Sequence, residues 1–138
     1  MLRRIRRALA LPLREKAEVL LACYWLRRFG RGLKRKALQE VLRDVRVAAG
    51  RRFRSVPRST PDMLCKAVER CSWNVTRKYT CLPQALAGYV LCARHACPVT
   101  LRVGVAPPGS GTIQAHAWLE HEGRVILGDL PNLERYAV

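Results

Sequence analysis

The chain has 138 residues, 49% of them hydrophobic, with 26 Lys and Arg against 10 Asp and Glu for a formal charge of +16. That length supports one modest core with an extra arm and excludes two independent enzyme domains. Most of the basic excess precedes residue 60, so the charge is regional and points either to an anionic partner or to a solvated basic face.

The opening MLRRIRRALALPL is basic, but Pro12 and Arg14 interrupt its apolar run and no small-residue cleavage site follows, which argues against a secretory signal. The apolar stretch Glu18 to Leu26 is far short of a membrane span. A cytoplasmic, reduced protein is therefore expected. Its cysteines at 23, 65, 71, 81, 92 and 97 should be thiols, most of them serving as small buried hydrophobes. There is no CxxC pair, and Cys92, His95 and Cys97 lack a matching second half, so no metal and no cofactor is expected.

Residues 13–29 carry Ala17, Leu20, Leu21, Tyr24 and Trp25 at helical spacing, with Gly30 as the expected stop. Residues 33–49 repeat the pattern with Leu38, Val41, Leu42 and Val45 on one stripe and basic residues elsewhere, an amphipathic helix. Together they form a basic helical arm over residues 1–55. Its clustered cations keep peripheral membrane contact open as a reading. GRRFRSVPRS then reads as a linker into a core over residues 56–138.

Thr60, Pro61 and Asp62 make a helix start: a capping hydroxyl, a proline at the first helical position and an acid on the helix dipole. That helix is expected to reach about Cys71, with Leu64, Ala67, Val68 and Cys71 on its buried stripe. The polar stretch SWNVTRKYT delivers the chain to CLPQALAGYVLCARH, a further helix with Thr80 placed to cap it and Pro83 in its first turn. From Val99 to Val105 the period changes to two, which reads as a strand, and APPGSGT is a loop.

QAHAWLEHEGRVILGD then reads as a hairpin with Glu122 and Gly123 as its turn. An unbroken register pairs His121 with Arg124, Glu120 with Val125, Trp118 with Leu127 and His116 with Asp129. An imidazole facing a carboxylate across two strands is the base and orienter half of a triad. HEGRVILGDL leaves room for a one-residue register change, with Glu120 and Glu122 as fallback carboxylates. Cys81 supplies the nucleophile: it opens a helix, where unpaired N–H groups and the dipole favour the thiolate, and its own N–H is a natural oxyanion donor. Arg77 and Lys78 add positive potential from upstream. His95, at a helix end, and His121, beside the turn, are poorer bases.

Cys81-Leu82-Pro83-Gln84-Ala85-Leu86-Ala87, a strand ending Arg102-Val103-Gly104-Val105, and Ala115-His116-Ala117-Trp118-Leu119-Glu120 resemble the transglutaminase-like cysteine peptidases that process lasso-peptide precursors, the protease part of the lasso-peptide B protein. The likeness covers about residues 60–138. It implies an α+β, papain- and transglutaminase-like core, with the Cys-bearing helix packed on a short antiparallel sheet. It also implies removal of a leader from a ribosomally made precursor, with Cys81 as nucleophile, His116 as base and then acid, and Asp129 as orienter. Trp118 and Trp73 are candidates to line the peptide cleft. Because residues 1–55 read as helices without strands, the split form of the family fits better. That form implies a separate small leader-recognition protein as partner beside the precursor leader and a macrolactam synthetase.

Two other readings remain at this point. An acyltransferase would use the same Cys81, His116 and Asp129, with an amine in place of water resolving the thioester. A non-enzymatic basic adaptor would leave the triad an accident. The aromatics are few and not interleaved with the basic runs, which argues against nucleic acid as its partner.

Overall fold

The computed structural model describes residues 10–52, 59–75, 80–107, 109 and 111–138, with the backbone alone at 73–75. Four helices precede three strands: α1 (Leu13–Arg35), α2 (Leu38–Ala49), α3 (Pro61–Val75), α4 (Cys81–Arg94), β1 (Thr100–Ala106), β2 (Gln114–His121) and β3 (Arg124–Leu127), closed by a 3₁₀ turn at Leu133–Arg135. The architecture is the α+β arrangement expected, helices first and then one antiparallel sheet of order β1-β2-β3.

α1 does not stop at Gly30. It continues to Arg35 because Gly30 is buried and the next glycine is a contact point between helices: a Cβ on Gly32 would stand 3.3 Å from Val41 Cγ2. Glycine inside a helix costs about 1 kcal/mol relative to alanine, which the close approach of α2 offsets. The chain breaks instead at Lys36, which turns extended while its N–H bonds the Gly32 carbonyl at 2.8 Å. α3 begins as the sequence indicates, with Thr60 Oγ1 accepting the Met63 N–H at 3.3 Å, and runs past Cys71 to Val75. Thr80 takes the N-cap position of α4 in an extended conformation, but its side chain makes no capping bond.

The apolar stripes of all four helices share one core with the sheet: α3 and α4 lie on the strands, α1 packs on those two helices, and α2 packs chiefly on α4. Leu26 and Phe29 of α1, Val41 and Val45 of α2, Leu64 and Val68 of α3, and Leu86 and Val90 of α4 share a core with Ala117, Leu119 and Leu127. The first two helices are thus packed into the same core as the strands, while the expected boundary near residue 55 lies outside the described residues. Glu18 on α1 is buried, and it is tolerated there because Ser59, just ahead of α3, donates its hydroxyl to Glu18 Oε1 while Arg14 donates to Ser59 Oγ at 3.0 Å.

The cysteines correct one expectation. Cys23 of α1 and Cys71 of α3 form a disulfide, with Cα atoms 5.6 Å apart, inside the range that permits a bridge. Helical periodicity places Cys71 on a buried stripe but carries no information about which residue of α1 crosses it. Cys65 and Cys92 are buried free thiols, as expected of small hydrophobes. Among the described residues no helix is long and apolar enough to cross a membrane, and no group of three or more potential metal ligands occurs.

Candidate active site

α4 lies directly on the hairpin. A Cβ on Gly88 would meet Leu119 Cδ1 at 2.8 Å and Leu127 Cδ2 at 2.9 Å, so the helix backbone touches β2 and β3 at this point. The direction of the helix follows from its other end. His121, the last residue of β2, has Nδ1 2.7 Å from the Pro98 carbonyl, just past the end of α4. The C-terminal ends of α4 and β2 therefore lie together, and the two elements run the same way. From the Gly88–Leu119 contact, Cys81 is back along the helix by roughly 10 Å at about 1.5 Å per residue. His116 is back along the strand by a similar distance, about 10 Å at 3.3 Å per residue. Cys81 and His116 thus come to the same end of the sheet.

They reach it from different sides. Strand alternation sets Ala117 and Leu119 toward the core and puts His116, Trp118 and Glu120 on the other face. Cys81 itself is half-buried, packed at the margin of the core. Its backbone N–H belongs to the first turn of α4 and has no partner within the helix, so it is available as an oxyanion donor. Val103 and Val105 are 49% and 46% exposed. They pair with Ala117 and Ala115 on the core-side face that α4 leaves uncovered, and so form an apolar ledge at this same end.

His116 is held on several sides. Its ring stacks on Trp118 with centroids 5.9 Å apart and meets Tyr136 at 5.5 Å. Its Nε2 lies 2.6 Å from the Gly128 carbonyl oxygen. A carbonyl can only accept, so Nε2 carries the proton and Nδ1 is left with the lone pair a general base requires. Tyr136 is brought over β1 by the C-terminal segment, where Ala137 exchanges two backbone hydrogen bonds with Val105 at 2.9 and 3.0 Å. Gly104 permits that approach, since a Cβ there would stand 2.9 Å from Tyr136 Cβ.

The hairpin register departs from the simple expectation at one point. Glu122 and Gly123 form the turn with φ of 51° and 76°, and His121–Arg124 and Glu120–Val125 pair as anticipated. A bulge between Leu119 and Glu120 then shifts the register, so Leu119 rather than Trp118 faces Leu127. The shift carries Asp129 out of the position opposite His116 and puts the Gly128 carbonyl on the imidazole instead. Asp129 is exposed and follows directly on that carbonyl. Gly128 has φ of 81°, and a Cβ would come within 2.9 Å of the Ala117 carbonyl, so only glycine fits the turn that aims this oxygen.

Trp118 is buried, stacks against His116 and donates Nε1–H to Glu120 Oε1 at 2.9 Å. The Trp73 side chain, Arg77 and Lys78 lie outside the described residues. Of the fallback carboxylates, Glu120 is engaged by Trp118 and by Arg102 Nε at 3.2 Å, and these contacts hold its carboxyl below the usual carboxylate range. Glu122 is at the exposed hairpin tip. His95 is buried with Nδ1 2.8 Å from the Leu91 carbonyl.

Two other free thiols are set against reactivity. A hydrogen bond with Cys65 and then burial push the Cys92 thiol up, and burial pushes the Cys97 thiol up. The sequence missed Gly128 and Tyr136. The one available signal was a glycine ending a strand pattern, which marks a bulge or a positive-φ residue.

Residues 23–138 match the family model Transglut_core3, described as Transglutaminase-like superfamily. No curated protein and no solved structure matches the chain.

Proposed function

The chain belongs to the transglutaminase-like superfamily, and from that premise we propose that it is a cysteine peptidase that removes the leader of a ribosomally made lasso-peptide precursor. The observation that carries this reading is the placement of Cys81, at the start of a helix, at the same end of the sheet as an imidazole whose Nε2 is already engaged by a carbonyl. In this reading His116 Nδ1 takes the Cys81 proton. The thiolate attacks the scissile carbonyl carbon, and the developing oxyanion is met by the Cys81 N–H. The imidazolium then protonates the leaving amine as the C–N bond breaks, which frees the first amine of the core peptide. Water, deprotonated by the same imidazole, hydrolyses the thioester and releases the leader as a carboxylic acid.

Asp129 adds negative charge one residue from the Gly128 carbonyl, in keeping with an orienting role for this segment. The apolar ledge of Val103 and Val105 suits an extended peptide laid across the Cys81 end. The resemblance of CLPQALA and AHAWLE to lasso-peptide leader peptidases narrows the substrate class, with a small leader-recognition protein and a macrolactam synthetase as partners. The test is incubation of candidate precursors with the protein, with and without the products of neighbouring genes, read by mass. Cleavage should require Cys81 and His116, and cleavage that survives Cys81→Ala refutes the assignment. A product with the mass of the acid plus an amine less one water, the amide formed when an amine resolves the thioester, would make the chain an acyltransferase.

A further inference from the structure

A groove of about 690 Å³ opens between α1 and α2, away from the thiol and imidazole. Its lining includes Leu20, Tyr24 and Val41, together with Arg27, Arg28, Arg31, Arg35 and Lys36 against one carboxylate, Asp44. That carboxylate is already taken by Lys36 at 2.9 Å. Arg28 donates to Tyr24 Oη at 3.3 Å. The guanidinium groups of Arg27, Arg31 and Arg35 make no ion pair or hydrogen bond among the described residues. They stand at i, i+4 and i+8 on α1, a row of like charges that destabilises a helix left to itself. On the same surface Leu20 is 70% exposed and Tyr24 52% exposed.

We propose that this groove docks an acidic amphipathic helix of a partner protein, independently of the reaction catalysed. Carboxylates repeating every turn of the incoming helix would meet the row of unpaired arginines, and apolar residues at one end of it would cover Leu20 and Tyr24. A phosphate backbone would satisfy the arginines but leave Leu20 and Tyr24 in water, so the combination favours an acidic protein segment over nucleic acid.

From Leu20 to Arg35 the stripe spans about 22 Å, which sets the probe as a labelled helical peptide of roughly 16 residues with Glu at i, i+4 spacing and Leu at one end. Its binding to the full chain is measured by fluorescence anisotropy at physiological ionic strength, beside a composition-matched scrambled peptide and a short DNA duplex. The patterned peptide should bind at least about tenfold more tightly than either control. Both Arg27→Gln/Arg31→Gln/Arg35→Gln and Leu20→Ser/Tyr24→Ser should weaken it by a similar factor while each variant still melts as a cooperatively folded chain. The proposal is overturned if the DNA binds as tightly as the peptide, if the peptide does not bind saturably, or if the Leu20 and Tyr24 substitutions leave its affinity intact.

Discussion

His116 Nε2 donates to the Gly128 carbonyl at 2.6 Å, so the group that fixes the tautomer of the candidate base is backbone, delivered by a residue whose positive φ excludes a side chain. Gly128→Ala forces the new Cβ against the Ala117 carbonyl and should displace the acceptor, lowering precursor cleavage by roughly a hundredfold, the scale of an ångström-sized misplacement. Asp129→Asn leaves the carbonyl in place and should cost less than about tenfold. Cleavage rates of the two variants decide between them, since removing a true triad carboxylate costs on the order of 10⁴. Nitrogen NMR of the imidazole should show the Nε2–H tautomer.

The pair of Glu120 with Trp118 and Arg102 gives a pH signature. Trp118 Nε1–H and Arg102 hold the Glu120 carboxyl below its ordinary value of 4.5. A carboxylate with a depressed folded pKa contributes stability above the unfolded pKa and loses it as pH falls through the folded one. Wild type should therefore exceed Glu120→Gln in melting temperature at pH 7, by an amount corresponding to no more than about 1 kcal/mol for this half-exposed pair. The gap should close as pH falls below about 4. A gap that persists unchanged into acid would show that the charge on Glu120 is not what stabilises the contact.

Periodicity recovered every helix and strand described here because each buries one face, and the Glu122-Gly123 turn was legible because both residues take positive φ. What the sequence concealed depended on contacts between distant elements. Gly30 reads as a stop, yet the helix runs on through it, and only the structure shows Val41 of α2 against Gly32 two residues later. The bulge at Leu119 and Glu120 leaves no compositional mark, yet one extra residue moves Asp129 off His116. Cys23 and Cys71 each fit a helical pattern alone, and only the crossing of α1 over α3 makes them a pair.

That crossing gives a third prediction. The Cys23–Cys71 bridge spans a separation of 48 residues, for which the loop-closure account gives about 4 kcal/mol of stabilisation. Reduction, or Cys23→Ser with Cys71→Ser, should lower the melting temperature by roughly 10–15 °C and leave the secondary structure intact by circular dichroism. Equal melts with and without reductant would mean that packing of α1 on α3, rather than the bond, carries the stability.

The seating of α4 on the sheet can be probed at Gly88, where a methyl group would collide with Leu119 Cδ1 at 2.8 Å and Leu127 Cδ2 at 2.9 Å. Gly88→Ala gains helix propensity of about 1 kcal/mol but overpacks a closed core, at a cost of about 1–3 kcal/mol. The net result should be a modest loss of stability. The larger consequence is positional, because lifting α4 away from β2 moves Cys81 relative to His116. Cleavage by Gly88→Ala should fall more than its stability accounts for when measured well below its melting temperature. Adding Leu119→Val shortens the side chain that the methyl group strikes, so the double variant should recover activity non-additively, as expected for residues in contact. Strict additivity would remove the helix-to-strand contact as the feature that aligns the thiol with the imidazole.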